Sequence, residues 1–163
     1  MPQYFHYTSG TAALMQQLIT AYPNRDLQLA TLPGQQRQAV LELTQEPAVF
    51  KTPISYQVWG QSANAQLRGV VRLEVFKLSP EQRKIWLATV QSLLTSSQPG
   101  CWGIWWLQDL QDASNVAVMT AWPDETSLQA WQQSSAHQNL ATFNDHVAKN
   151  MDQLYYHQDF QLS

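Results

Sequence analysis

The chain has one cysteine, Cys101, and six glycines among 163 residues. A single thiol excludes an intramolecular disulfide and suits a reducing compartment. Charge is scarce too: Asp, Glu, Lys and Arg together make up 13%, and the net charge is −3. Without a basic excess there is no footprint for nucleic acid or for anionic lipid. No run approaches the ~20 apolar residues of a membrane-spanning helix. The opening MPQYFHYTSG has neither the basic nor the apolar region of a secretory leader. A cytoplasmic protein is the expectation. A Gly-rich phosphate loop, a His-Glu zinc motif, a CxxC pair and a nucleophile elbow are all missing from the sequence. His6, His137, His146 and His157 are the only histidines, and none is spaced from another as on a metal-binding helix. A dedicated metal site is not expected.

What is present is apolar and aromatic patterning, with seven tryptophans and 44% hydrophobic residues. Gln3–Thr8 reads as a strand, and Thr11 caps a helix with the stripe Leu14, Met15, Leu18 and Ile19 that stops at Tyr22-Pro23. Leu27–Thr31 and Ala39–Thr44 read as strands joined at hairpin length, and Ile54–Trp59 as a further short strand. The polar stretch Gly60–Gln66 is the best internal boundary. Beyond it, Leu67–Leu78 is a long strand, and Ser79-Pro80-Glu81 starts a helix whose buried face is Trp86, Val90, Leu93 and Leu94. Cys101–Leu107 and Asn115–Trp122 are apolar strands. Then come Pro123–Thr126 as strand breaker and helix start, Leu128 and Trp131 on one face, a Ser134-Ser135 break, and a helix carrying Leu140, Phe143 and Val147. Leu154–Leu162 closes as a strand.

The order strand, helix, strand, strand therefore occurs twice, predicting an α+β fold of two ferredoxin-like βαββ halves. Residues 1–60 form the degenerate first half and residues 67–163 the complete second one. Two antiparallel sheets stacked on each other would bury their apolar faces within one chain.

Candidate functional residues sit in the second half. Arg72 and Glu74 lie two apart on a strand, hence on one face, and are expected to pair with each other or to look into a pocket between sheet and helices. Trp102, Trp105, Trp106, Trp122 and Trp131 form either a core or the lining of a planar-ligand pocket. His137, near a helix start, is either a packing residue or a ligand. His6 and His157 fall in terminal strands and are expected at the surface or an edge.

Several segments together resemble one family. They are Phe50-x-x-Pro53-x-x-Tyr56-x-Val58, the Gly69–Leu78 strand, Pro99-Gly100 before a strand, and Trp122-x8-Trp131-Gln132-x-Ser134. The chain resembles the antibiotic-biosynthesis-monooxygenase (ABM) superfamily, in particular its longer branch. That branch contains the bacillus-type haem monooxygenases and the staphylococcal targets of an RNAIII-activating protein. The resemblance implies a dimeric-ferredoxin-like pseudo-dimer within one chain and an oxygenase activity. It also implies a haem or a small planar aromatic ligand between sheet and helices, in a monomer or a homodimer. Under the haem reading, Trp131 matches the residue that ruffles the macrocycle, the strand position beside bound oxygen falls on Glu74, or on Val75 if the strand slips by one, with Arg72 lining the same side, and Phe143 lines the pocket. The family's iron-ligand position falls on Ala141, leaving His137, four residues earlier, as the substitute ligand. The alternatives are a cofactor-free oxygenase of quinol type with Glu74 as base, and a non-catalytic relative that binds or regulates.

Overall fold

In the computed structural model, residues 1–96, 98–149 and 155–163 are described, with 144–149 as backbone only. Val147 of the expected helical stripe, the His146 side chain and Leu154 lie outside what is described. The element order is β1 (Tyr4–Gly10), α1 (Ala12–Ala21), β2 (Gln28–Thr31), β3 (Gln38–Thr44), β4 (Ile54–Gln61), β5 (Val70–Lys77), α2 (Pro80–Thr95), β6 (Gly103–Asp109), β7 (Asn115–Trp122), α3 (Glu125–Gln132), α4 (Ser135–Lys149) and β8 (Tyr155–Leu162).

All eight strands close into one antiparallel barrel in the order β1-β3-β2-β8-β5-β7-β6-β4. Within it, β4-β1-β3-β2 and β8-β5-β7-β6 are each a ferredoxin-like run, with strands in the order fourth, first, third, second. The two runs do more than stack. Their outer strands pair, β2 with β8 at Ala30↔Leu162 and β4 with β6 at Tyr56↔Asp109, so the pseudo-dimer has no open sheet edge. The expectation of two stacked sheets therefore becomes a barrel filled by both inner faces.

Strand alternation decides what faces inward. Val71, Leu73 and Val75 join Phe5, Tyr7, Leu41, Tyr56, Trp105, Leu107, Met119 and Phe160 in the barrel core. Arg72, Glu74 and Phe76 alternate with them on the outer face, where Trp86, Val90, Trp122, Leu128, Trp131, Leu140 and Phe143 build a second core under the helices. The expected five-Trp set is thus split. Trp105 fills the barrel, Trp122 and Trp131 lie under the helices, and Trp102 carries the Arg68 guanidinium 4.1 Å above its ring.

Local chemistry sets the helix starts. Ser79 and Gln82 form a reciprocal capping box on α2, with Pro80 in its first turn. Asp124 accepts the Ser127 N–H at 2.8 Å and so caps α3. The long strand begins later than the apolar run suggests, at Val70, because Gly69 turns the chain with φ +75.

The first half has no helix between β3 and β4. The segment in its place is tied down from the sheet: Arg25 grips Glu42 in a two-point contact of 2.7 and 2.8 Å and donates to the Pro47 carbonyl at 2.9 Å. His6 corrects its expected surface or edge placement. It is 2% exposed, 2.7 Å from Ser55 Oγ and 2.9 Å from the Glu46 carbonyl. A terminal strand in a closed barrel is flanked on both sides, and β1 pairs with both β3 and β4.

Candidate functional site

The outer face of β5 and its two neighbours carries a polar group under α3 and α4. Register puts Glu74 between Val118 of β7 and His157 of β8, and Arg72 between Thr120 and Asp159. Glu74 is almost wholly buried. Its Oε1 accepts the Tyr155 hydroxyl at 2.8 Å and lies 3.0 Å from His137 Nε2. A carboxylate only accepts, so that ring nitrogen carries the hydrogen in this contact. Burial, the Glu74 charge and the hydrogen bond push the Tyr155 hydroxyl far above the usual phenol range, so it stays a donor.

The expected Arg72–Glu74 pair does not form. Arg72 donates Nε to Asp159 Oδ1 at 2.7 Å and Nη2 to Oδ2 at 2.8 Å, a two-point fork. Residues directly opposite across a ladder stand closer than residues two apart on one strand, so Asp159 wins the guanidinium. Gln132, with its amide oxygen turned to the guanidinium, accepts from Arg72 as well. Burial alone would lower the Arg72 pKa; the Asp159 bond and charge outweigh it, so the net shift is upward.

Trp131 and His137 are positioned by one serine. Ser134 Oγ donates to the Trp131 carbonyl at 2.6 Å and accepts the His137 N–H at 3.2 Å, fixing the break between α3 and α4. The Trp131 ring then stacks on Trp122 at 5.6 Å and meets the His137 ring edge-on at 5.3 Å. Beside Trp131 lies a cavity of about 130 Å³ lined also by Gln98, Pro99, Trp122, Ala130 and Ser134.

Of the residues singled out from sequence, Trp131, His137 and Glu74 are brought into one contact chain. Arg72 stands one register row away and joins it through Gln132, the neighbour of Trp131. Phe143 is buried in the same apolar cluster. Tyr155 and Asp159 were not singled out, and Ser134 only as the helix break and a motif position. The available signal was the alternation of Tyr155, His157 and Asp159 along the last strand, which puts three polar or titratable groups on one face.

Four buried polar atoms of this region have no partner among the described residues: Glu74 Oε2, Thr120 Oγ1, Trp122 Nε1 and Trp131 Nε1. Buried polar groups are nearly always satisfied, so such a concentration marks a place that a plain core would not keep. Among the described residues no group of three or more His, Cys, Asp or Glu gathers as a metal cage would require. Among the described residues no helix is long and apolar enough to cross a membrane.

The chain is a single-chain ferredoxin-like barrel with a polar group under its C-terminal helices. Residues 70–142, which hold Arg72, Glu74, Trp131 and His137, match the family model of antibiotic biosynthesis monooxygenase. Among solved structures it is similar to a ferredoxin-fold protein related to antibiotic biosynthesis monooxygenases from Listeria monocytogenes. That match has TM-score 0.83 and 17% identity, over 100% of this chain and 96% of that one. It is also similar to LmHde, a haem-degrading enzyme from Listeria monocytogenes (TM-score 0.79, 17% identity, 99% of this chain and 100% of that one). A third is a major regulator of staphylococcal pathogenesis (TM-score 0.78, 13% identity, 98% of each chain). At such identities the likeness establishes the fold alone.

Proposed function

We propose that the protein is an ABM-type monooxygenase that works without haem on a small hydroxylated aromatic ring, with Glu74 as the proton acceptor. The observation that carries this reading is the free Oε2 of Glu74, a buried carboxylate oxygen without a donor among the described residues, while Oε1 is held by Tyr155 and His137. Such an oxygen accepts the proton of a bound hydroxyl, and the two donors on Oε1 keep the carboxylate aimed. His137 and Tyr155 act as positioning residues.

The chemistry needs no added reductant. A 1,4-dihydroxylated ring gives its hydroxyl proton to Glu74, and the electron-rich ring then reduces dioxygen. One oxygen atom enters the ring, the other leaves as water, and all four electrons come from the substrate, which ends as a hydroxyquinone. The cavity of about 130 Å³ beside Trp131 is near the size that holds one benzene ring. Trp131 lines that cavity, and its ring meets the ring of His137, the partner of Glu74, edge-on at 5.3 Å.

Haem is the other reading the fold suggests, and the residues present fit it poorly. His137 Nε2 is engaged by Glu74, and the family's ligand position holds Ala141. Trp131, Leu140 and Phe143 are buried in the sheet–helix space, with Tyr155 packed against them. A pocket for a large planar ligand measures several hundred Å³, against about 130 Å³ at Trp131.

Oxygen uptake with methylhydroquinone as probe tests the proposal. Wild type is expected to raise uptake above the autoxidation rate, and Glu74→Gln to lower that gain by a factor of roughly 100 or more, since general-base loss is worth about 10²–10⁴. Equal uptake by both proteins overturns it. A haem titration by absorbance, on wild type and His137→Ala, separates the other reading: a saturating one-to-one Soret band lost in the variant would restore haem.

A further inference from the structure

A second cleft, away from Glu74, lies where β4 meets β6 beneath the first turns of α2. The ladder between these strands pairs Val58 with Leu107 and then Gly60 with Trp106, leaving Trp59 as an extra, bulged residue. A bulge re-aims side chains. Here it sets Trp59 against Trp106, ring centres 6.1 Å apart, while Gly60 beside it has no side chain; a Cβ there would come within 3.0 Å of Leu94 and 3.6 Å of the Trp106 ring. Trp59 stays 47% exposed, and its Nε1 donates to Gln108 Oε1 at 2.8 Å. A bulky indole held open to solvent by a side-chain hydrogen bond is not core packing.

The cleft so formed measures about 300 Å³ and is lined by Trp59, Trp86, Trp106, Arg83, Lys84 and Gln108, among others. Its wall is apolar and aromatic, and its charges are of one sign. Arg83 is tied to the Ala113 carbonyl through Nη1 at 2.8 Å and has no direct ion-pair partner among the described residues, with Asp112 acting on it only from a distance. The nearby carboxylates are not in the lining: Asp112 is held by Ser114 and lies 3.9 Å from Lys77, and Glu81 is an exposed residue of the first turn of α2. Three N–H donors of lining residues, Arg83 Nε, Trp86 Nε1 and Trp106 Nε1, are buried without an acceptor among the described residues.

We propose that this cleft is a binding site for a planar aromatic anion, such as a one- or two-ring carboxylate. The ring lies against Trp59 and Trp106, and the anionic group lies toward Arg83 and Lys84. A pocket of about 300 Å³ is at the small end of ligand sites and suits that size. On a chain whose net charge is −3, attraction of an anion is a property of this patch and not of the whole surface.

Isothermal titration with 2-naphthoate, and with the neutral 2-naphthalenemethanol as its near-isostere, tests the site. One equivalent of naphthoate is expected to bind at least tenfold more tightly than the alcohol. Arg83→Gln is expected to erase that difference, the exposed Lys84→Gln to reduce it, and Trp59→Ala to weaken both ligands. Trp131→Phe, at the other cavity, is expected to leave naphthoate binding unchanged. Equal binding of naphthoate and alcohol by wild type overturns the proposal whatever the variants do, as does the absence of naphthoate binding. Loss of naphthoate binding in Trp131→Phe with retention in Trp59→Ala also overturns it, by moving the ligand to the other cavity.

Discussion

His137 Nε2 stands 3.0 Å from Glu74 Oε1, and that contact joins α4 to an inner strand of its half of the barrel. Both side chains are largely buried, so the contact is shielded from solvent competition. A double-mutant cycle of Glu74→Gln and His137→Ala, read by urea denaturation, is expected to show a coupling of about 1–2 kcal/mol, the range for a hydrogen bond to a charged group. Strict additivity would mean that the two groups do not interact.

Ser134 ends one helix and begins the next with a single oxygen. Ser134→Ala removes both bonds and should cost about 1 kcal/mol, as the loss of a helix cap does. Because Trp131 and His137 are set by those bonds, the variant should also shift the fluorescence and near-ultraviolet dichroism of the indoles. A stability loss with unchanged spectra would argue that the ring positions are held by packing alone.

Much of this architecture is written in local pattern. Caps at Thr11, Ser79 and Asp124 and the alternation in β5 and β7 mark the repeated order without any knowledge of pairing. Closure of the barrel is not local: Ala30 meets Leu162, and no spacing rule announces it. The same limit explains the partner of Arg72. Glu74 two residues away is visible from sequence, whereas Asp159, 87 residues distant, becomes the neighbour only once β8 is laid beside β5. His6 was misplaced for the same reason, since an edge strand ceases to be one when a distant strand pairs with it.

Gly69 turns into β5 with φ +75, and a Cβ on it would fall 2.2 Å from the Trp122 carbonyl oxygen and 2.9 Å from the Trp102 ring. The obstacle is backbone, which cannot swing aside. Gly69→Ala is therefore expected to lose more than about 2 kcal/mol, since both the left-handed conformation and the clash act against it. A chemical melt within 0.5 kcal/mol of wild type, a bound set by ordinary surface substitutions, would show that the turn rearranges freely.

Alkaline pH should weaken the fold through groups held neutral within it. Burial pushes the Cys101 thiol up to about 11, against smaller opposing effects from its bonds to the Gly103 and Ala121 carbonyls. A thiol in the unfolded chain ionises near ~8.5. Between those two values the native state binds more protons than the unfolded one, so stability falls as pH rises through that window and is unaffected below it. Tyr155, raised by burial and by Glu74, extends the decline above the ordinary phenol range of ~10. Urea midpoints from pH 7 to 10.5 should therefore drop for wild type and drop less for Cys101→Ala, with the difference confined to the region above pH ~8.5. The same proton makes the native thiol slow toward a disulfide reagent at pH 8, where its thiolate fraction is roughly two-hundredfold below that of a free cysteine. Rapid labelling of the folded protein, together with identical midpoints for both proteins at pH 10, would mean that Cys101 is exposed to solvent and ionises freely.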